Sequence, residues 1–165
     1  MDPLTPDQIR ASFVNALPGE AERMPMPALH DVLWENREYF GWRDARSHQR
    51  GYLVYWDNDT PVGIVLRASE FSLQPGISAM CSLCRITQPS GQVTLFSAPR
   101  PGQAGIDGNT IGTYICDDLA CSHLIRVLPP PSDMQPPPEQ LLASRSASLV
   151  ERVRSFTTNV VRPSD

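Results

Sequence analysis

The stretch that decides the fold opens with Cys81-Ser82-Leu83-Cys84 and closes, thirty-one residues later, with Cys116-Asp117-Asp118-Leu119-Ala120-Cys121. It contains all 4 cysteines of the chain. A C-x2-C turn brings two sulfurs to one ion, and a second close pair completes a tetrahedral set of thiolates, the donor set that suits zinc in structural sites. The second spacing is wider than the common C-x2-C form. Between the pairs, Gln92 to Ser97 and Thr110 to Ile115 read as strands, joined by a Gly- and Pro-rich loop from Ala98 to Asn109. Asp117 or Asp118 then reads as the N-cap of a helix running to about Val127, with Cys121 in its first turn. Knuckle, hairpin and helix in that order are the treble-clef plan, here over residues 81–127. A helix N-terminus favours the Cys121 thiolate, and Arg85 and Arg126 stand near enough in sequence to offset the site's negative charge.

Four thiolates leave zinc no open position, so this spacing points to an ion that holds the fold together rather than one that activates water. Two other readings of the cysteines are unrelated buried thiols and a redox pair at Cys81 and Cys84, the latter without the βαβ context such pairs have. His123 follows Cys121 by two residues and points to the other side of a helix, which makes it a surface or outer neighbour rather than a ligand. His30 and His48 read as surface residues. Asp57 and Asp59 read as turn formers between two strands. No phosphate loop, dinucleotide fingerprint, HExxH or GxSxG occurs, and the chain is expected not to be an enzyme.

Upstream of the cysteines, Thr5-Pro6-Asp7-Gln8 forms a capping box with proline at the first helical position. Ile9, Phe13, Ala16 and Leu17 continue at helical spacing until Pro18-Gly19. The stretch from Pro25 to Asp44 is expected to be a short helix or irregular turns that pack aromatics on the core. Gly51 to Trp56 and Val62 to Leu66 are rich in β-branched and aromatic residues around Asp57-Asn58-Asp59-Thr60-Pro61, which predicts a hairpin. Downstream, six prolines between Pro129 and Pro138 make an extended spacer. Glu139 to Val161 places Leu142, Leu149, Val153, Phe156 and Val160 on one face of an amphipathic helix. The expected organisation is an α+β domain over 1–128, with a small antiparallel β-sheet, a treble-clef zinc finger and flanking helices. A spacer at 129–138 and a C-terminal helix with tail at 139–165 follow it.

The chain has 165 residues, enough for one core, and no run long enough to span a membrane. Its 14 basic residues are all arginine and are outnumbered by 18 acids, for a formal charge of -4. That balance argues against gripping nucleic acid by bulk electrostatics. Arg100, Arg145, Arg152 and Arg154 are candidates for contact with an acidic partner or with phosphates, against the simpler reading of a solvated face. No secretory signal is visible in the first thirty residues, and a cytoplasmic location is expected.

The two cysteine pairs resemble those of the elongation factor G binding proteins, the family of the FusB-type fusidic acid resistance proteins. So do the hairpin segments Tyr52-Leu53-Val54 and Gly63-Ile64-Val65-Leu66-Arg67, together with Ile9 to Asn15 and Gly41-Trp42-Arg43-Asp44. The last two segments are similar to short actinobacterial-type members. The resemblance runs from about Thr5 to Arg126. It implies one structural zinc on Cys81, Cys84, Cys116 and Cys121, and a non-enzymatic protein that binds elongation factor G at the ribosome and promotes its release. The alternatives are a zinc-stabilised module that binds rRNA or other nucleic acid, and a thiol redox or zinc-release sensor. Resistance members have a larger N-terminal helical bundle and an aromatic in the knuckle, where this chain has Ser82 and Leu83. Their contact surface therefore does not transfer residue by residue.

Overall fold

The computed structural model describes residues 1–163. Ser164 and Asp165, the end of the expected tail, lie outside the described residues. The hairpin forms as β2 (Arg50–Asp57) and β3 (Thr60–Ala68), with Asp57 opposite Thr60. Asn58 takes the left-handed φ of 54° that a tight hairpin turn requires and that asparagine tolerates. With β1 (Phe40–Arg43), β6 (Val93–Pro99) and β7 (Thr110–Cys116), they form one antiparallel sheet in the order β1-β2-β3-β6-β7. A separate ribbon pairs β4 (Ser78–Met80) with β5 (Thr87–Pro89). The fold is α+β.

Strand β1 corrects the reading of Pro25 to Asp44. Two 3-10 turns, Leu29–Asp31 and Trp34–Asn36, lead into a strand rather than a helix. Its alternate residues Phe40 and Trp42 stack at 5.0 Å, and Trp42 packs on Tyr52 of β2 at 5.1 Å. Aromatics crowded into a short segment gain more from cross-strand pairing than from a helix face.

Successive strand residues face opposite sides, so the sheet carries two cores. Leu53, Tyr55, Ile64, Leu66, Phe96 and Ile115 share one with the four cysteines. Tyr52, Val54, Val65, Phe40 and Trp42 share the other with Leu4, Ile9 and Met24. The first helix, α1 (Pro6–Ser12), has the expected capping box but stops well before Pro18. Strand β3 pairs with β6 only at Arg67 and Ala68, which leaves the backbone of Gly63 and Val65 in need of partners. The segment after α1 supplies them. Val14 donates its N–H to the Gly63 carbonyl at 3.0 Å. The Asn15 amide accepts from the Val65 N–H and donates to the Val65 and Pro99 carbonyls. A one-turn helix, α2 (Glu20–Arg23), follows.

The remaining helices are α3 (Gln103–Ile106), α4 (Cys121–Leu124) and α5 (Pro138–Val161). Helix α5 docks on the sheet and buries Leu149, Val153, Phe156 and Val160 in the same core as the cysteines. Leu142 is partly buried against that core. Among the described residues no helix is long and apolar enough to cross a membrane.

Candidate metal centre

The ribbon β4–β5 delivers the first pair of sulfurs. Cys81 follows β4, and the chain turns back at once: the Arg85 N–H donates to the Cys81 carbonyl and the Cys81 N–H to the Ile86 carbonyl. Closing so tight a knuckle puts Arg85 at a φ of 62°, a position glycine fills at lower cost. The Ser82 N–H donates to the Tyr114 carbonyl at 2.7 Å, which ties the knuckle to β7. Cys116 ends β7 and Cys121 begins α4.

The N-cap of α4 is Ala120, not Asp117 or Asp118. Buried Leu119 adopts a left-handed φ of 57° and separates the aspartates from the helix. Asp118 instead accepts the Ala120 N–H, and Asp117 accepts from Arg43 and Thr94. The helix is also shorter than expected, ending at Leu124, and further turns carry the chain to Val127.

These elements bring all four thiols together, with every sulfur within 4.8 Å of the others. Cys81 to Cys121 and Cys84 to Cys116 are each 3.6 Å, and Cys116 to Cys121 is 3.5 Å. A tetrahedron with zinc–sulfur bonds of about 2.3 Å has edges of about 3.8 Å, so the donor set fits one zinc ion without rearrangement. All four cysteines are buried and free of disulfides. Hydrogen bonds from Cys116 and Cys121 hold the Cys81 and Cys84 thiols below their ordinary range, while bonding to Cys116 and Cys81 pushes Cys121 up. A buried polar group is aimed at the sulfurs: the Gln88 amide donates to Cys116 Sγ at 3.3 Å. The site is that of one structural zinc.

The other sequence-predicted residues have different fates. Arg126 does not face the sulfurs; it makes a bidentate bond with buried Glu38. Arg85 is exposed, and its guanidinium has no partner among the described residues. The four candidate contact arginines all bond within the chain. Arg145 Nη1 donates to the carbonyls of Ile125 and Val127, Arg152 Nε to that of Leu83, and Arg154 Nε to Asp57 at 2.9 Å. Arg100 reaches the carbonyls of Asn159, Val160 and Arg162 at the far end of α5. Together they fasten the last helix at four places. His123 is exposed and lies 2.6 Å from Arg37, with its pKa lowered by partial burial and by that guanidinium. His30 and His48 are exposed, and Asp57 stands at the hairpin turn.

Sequence reasoning missed Glu38. Burial alone pushes its carboxyl up, but hydrogen bonds from Arg126, Ser146 and Ser122 outweigh that and hold the pKa below its ordinary value. Its partners lie 84 to 108 residues away, so nothing local in the sequence marks it.

Among solved structures, the fusidic acid resistance protein FusC is similar, with a TM-score of 0.55 and 18% identity. The match covers 86% of this chain and 53% of that one, so this chain spans about half the length of FusC. No curated protein matches. The family profile described as the FBP C-terminal treble-clef zinc-finger matches residues 8–160, which takes in the sheet, both cysteine pairs and nearly all of α5. With that profile running almost end to end over a knuckle, hairpin and one-turn helix that gather four thiols, the chain belongs to the FBP C-terminal treble-clef zinc-finger family.

Proposed function

We infer that Cys81, Cys84, Cys116 and Cys121 ligate a structural zinc in a non-enzymatic, cytoplasmic protein that binds elongation factor G at the ribosome and promotes its release. The observation that carries this reading is the family match over residues 8–160 with the four-thiol cluster intact. The similarity of the fold to a fusidic acid resistance protein supports it. Elongation factor release needs binding energy and not bond chemistry, so a closed metal site suits the task.

The contact surface of this reading centres on the knuckle. Met80 is half exposed beside Cys81, and Arg85, exposed and without a side-chain partner among the described residues, belongs to the same turn. An apolar side chain next to a free arginine is the composition that protein interfaces favour. Arg100, Arg145, Arg152 and Arg154 already bond to this chain, which leaves direct rRNA binding through them disfavoured. The sealed burial of the sulfurs likewise disfavours a redox sensor.

The test is capture of elongation factor G from a bacterial lysate by the zinc-loaded chain, with Cys84→Ser and Arg85→Glu as comparisons. Recovery by the wild type, with loss in both variants, is expected. Recovery of nothing, or equal recovery by all three, removes the proposal.

A further inference from the structure

Two of the four sulfurs accept a hydrogen bond from a nitrogen, and a third potential donor, a buried phenol without a partner among the described residues, shares their core. The first donor is local: the Cys84 N–H points to Cys81 Sγ at 3.5 Å, as any knuckle of this shape arranges. The second is Gln88, whose side-chain nitrogen lies 3.3 Å from Cys116 Sγ. Gln88 is the central residue of β5 and is 9% exposed, between two exposed neighbours. The third is Tyr39, which immediately precedes β1 and is 1% exposed. Its hydroxyl has no hydrogen-bond partner among the described residues, and Tyr39 belongs to the core that holds all four cysteines, Cys121 being the sulfur that acts on the hydroxyl most.

An amide and a phenol held in an apolar core without acceptors each carry a desolvation cost, of about 1 to 3 kcal/mol. A neutral thiol is too weak an acceptor to offset it, whereas a metal-bound thiolate accepts strongly. The placement of both groups is therefore accounted for by charge on the sulfurs. We propose that Tyr39 and Gln88 are positioning residues of the metal centre, the Tyr39 hydroxyl donating to the Cys121 thiolate and the Gln88 amide to the Cys116 thiolate. They lower the charge density on two of the four sulfurs and so strengthen zinc retention. Cys84, with no donor of this kind and the largest exposure of the four at 6%, is left as the sulfur most open to attack.

The inference rests on the assignment of the four cysteines as ligands. A built-in control lies on the other face of the sheet. Tyr52 is also fully buried, with a hydroxyl that has no partner among the described residues, but it belongs to the core that contains no cysteine. The full-length chain and its Tyr39→Phe, Gln88→Leu and Tyr52→Phe variants are compared by zinc competition against a chromophoric chelator and by the thiolate-to-metal absorption band after loading with cobalt. Outer partners of metal ligands are worth roughly 10- to 100-fold in affinity. Tyr39→Phe and Gln88→Leu are expected to bind zinc at least about tenfold more weakly and to shift the cobalt band, with Tyr52→Phe unchanged in both. Wild-type affinity and an unshifted band in Tyr39→Phe and Gln88→Leu overturn the proposal, as does an equal loss in Tyr52→Phe, which traces the effect to core packing. A wild-type chain that takes up no zinc fails at the ligand assignment itself and is told apart by that.

Discussion

Arg126 donates Nη1 to Oε2 of Glu38 at 2.9 Å and Nη2 to Oε1 at 3.0 Å, a two-bond fork between the end of the zinc unit and the residue before Tyr39. Ser146 of α5 donates to the same carboxylate at 2.8 Å, so one buried acid joins three parts of the chain. The Glu38 side chain is 5% exposed and that of Arg126 24%. Such a pair holds geometry more than it adds net stability, because both ions lose water on folding.

Removing one partner exposes that asymmetry. Arg126→Met leaves the carboxylate buried without its counter-ion and is expected to cost about 3 kcal/mol, measured by chemical denaturation. The double variant Arg126→Met with Glu38→Leu is expected to recover most of the loss.

The same carboxylate makes stability depend on pH with a definite sign. Its folded pKa lies below the unfolded value, so its contribution is complete above the ordinary glutamate range and is lost as pH falls through the folded pKa. Melting temperature measured from pH 7 downward should fall more steeply in the wild type than in Glu38→Gln.

Zinc removal should undo much of the fold. Structural zinc contributes about 10 to 16 kcal/mol in small zinc modules, on the scale of the about 5 to 15 kcal/mol by which whole domains are stable. Chelation or Cys116→Ser is expected to abolish hydrogen-exchange protection in β6, β7 and α5, whose side chains share the core with the sulfurs. Unchanged circular dichroism and melting temperature would count against a structural ion.

Arg85 offers the opposite sign. Its left-handed backbone carries a steric cost of roughly 1 to 2 kcal/mol that glycine avoids, and the exposed side chain bonds to nothing described. Arg85→Gly is expected to raise stability by about 1 kcal/mol in denaturant titration while weakening capture of elongation factor G.

Helix α5 is expected to be part of the fold and not an appendage. Leu149 is fully buried, and Leu149→Ala should cost about 2 to 5 kcal/mol. Truncation after Leu128 should yield a chain that binds hydrophobic dye and shows no sharp thermal transition.

The zinc unit, the hairpin and the last helix were legible in the residues because each is specified by a local pattern: paired cysteines, β-branched runs around a turn, and apolar residues at helical spacing. Strand β1 was not, since Phe40 and Trp42 become strand residues only when Tyr52 and Val54 are present to pair with. The early end of α1 was hidden for the same kind of reason. The gap beside β3 that draws Phe13 into a bridge with Gly63 and Asn15 onto Val65 exists only once β6 diverges from β3.

For the arginines the division is sharpest. Sequence alone determined that the chain would carry a four-sulfur site and an amphipathic helix after a proline spacer, because metal-ligand spacing and helical period are properties of neighbours along the chain. Only the tertiary structure decided that Arg100, Arg145, Arg152 and Arg154 bond inward to carbonyls and to Asp57, that Glu38 meets Arg126, and that Tyr39 and Gln88 join the core of the four cysteines. A guanidinium or a phenol reads the same in any sequence. Its role depends on which unsatisfied oxygen or sulfur the folded chain places within reach, and those atoms arrive from dozens of residues away.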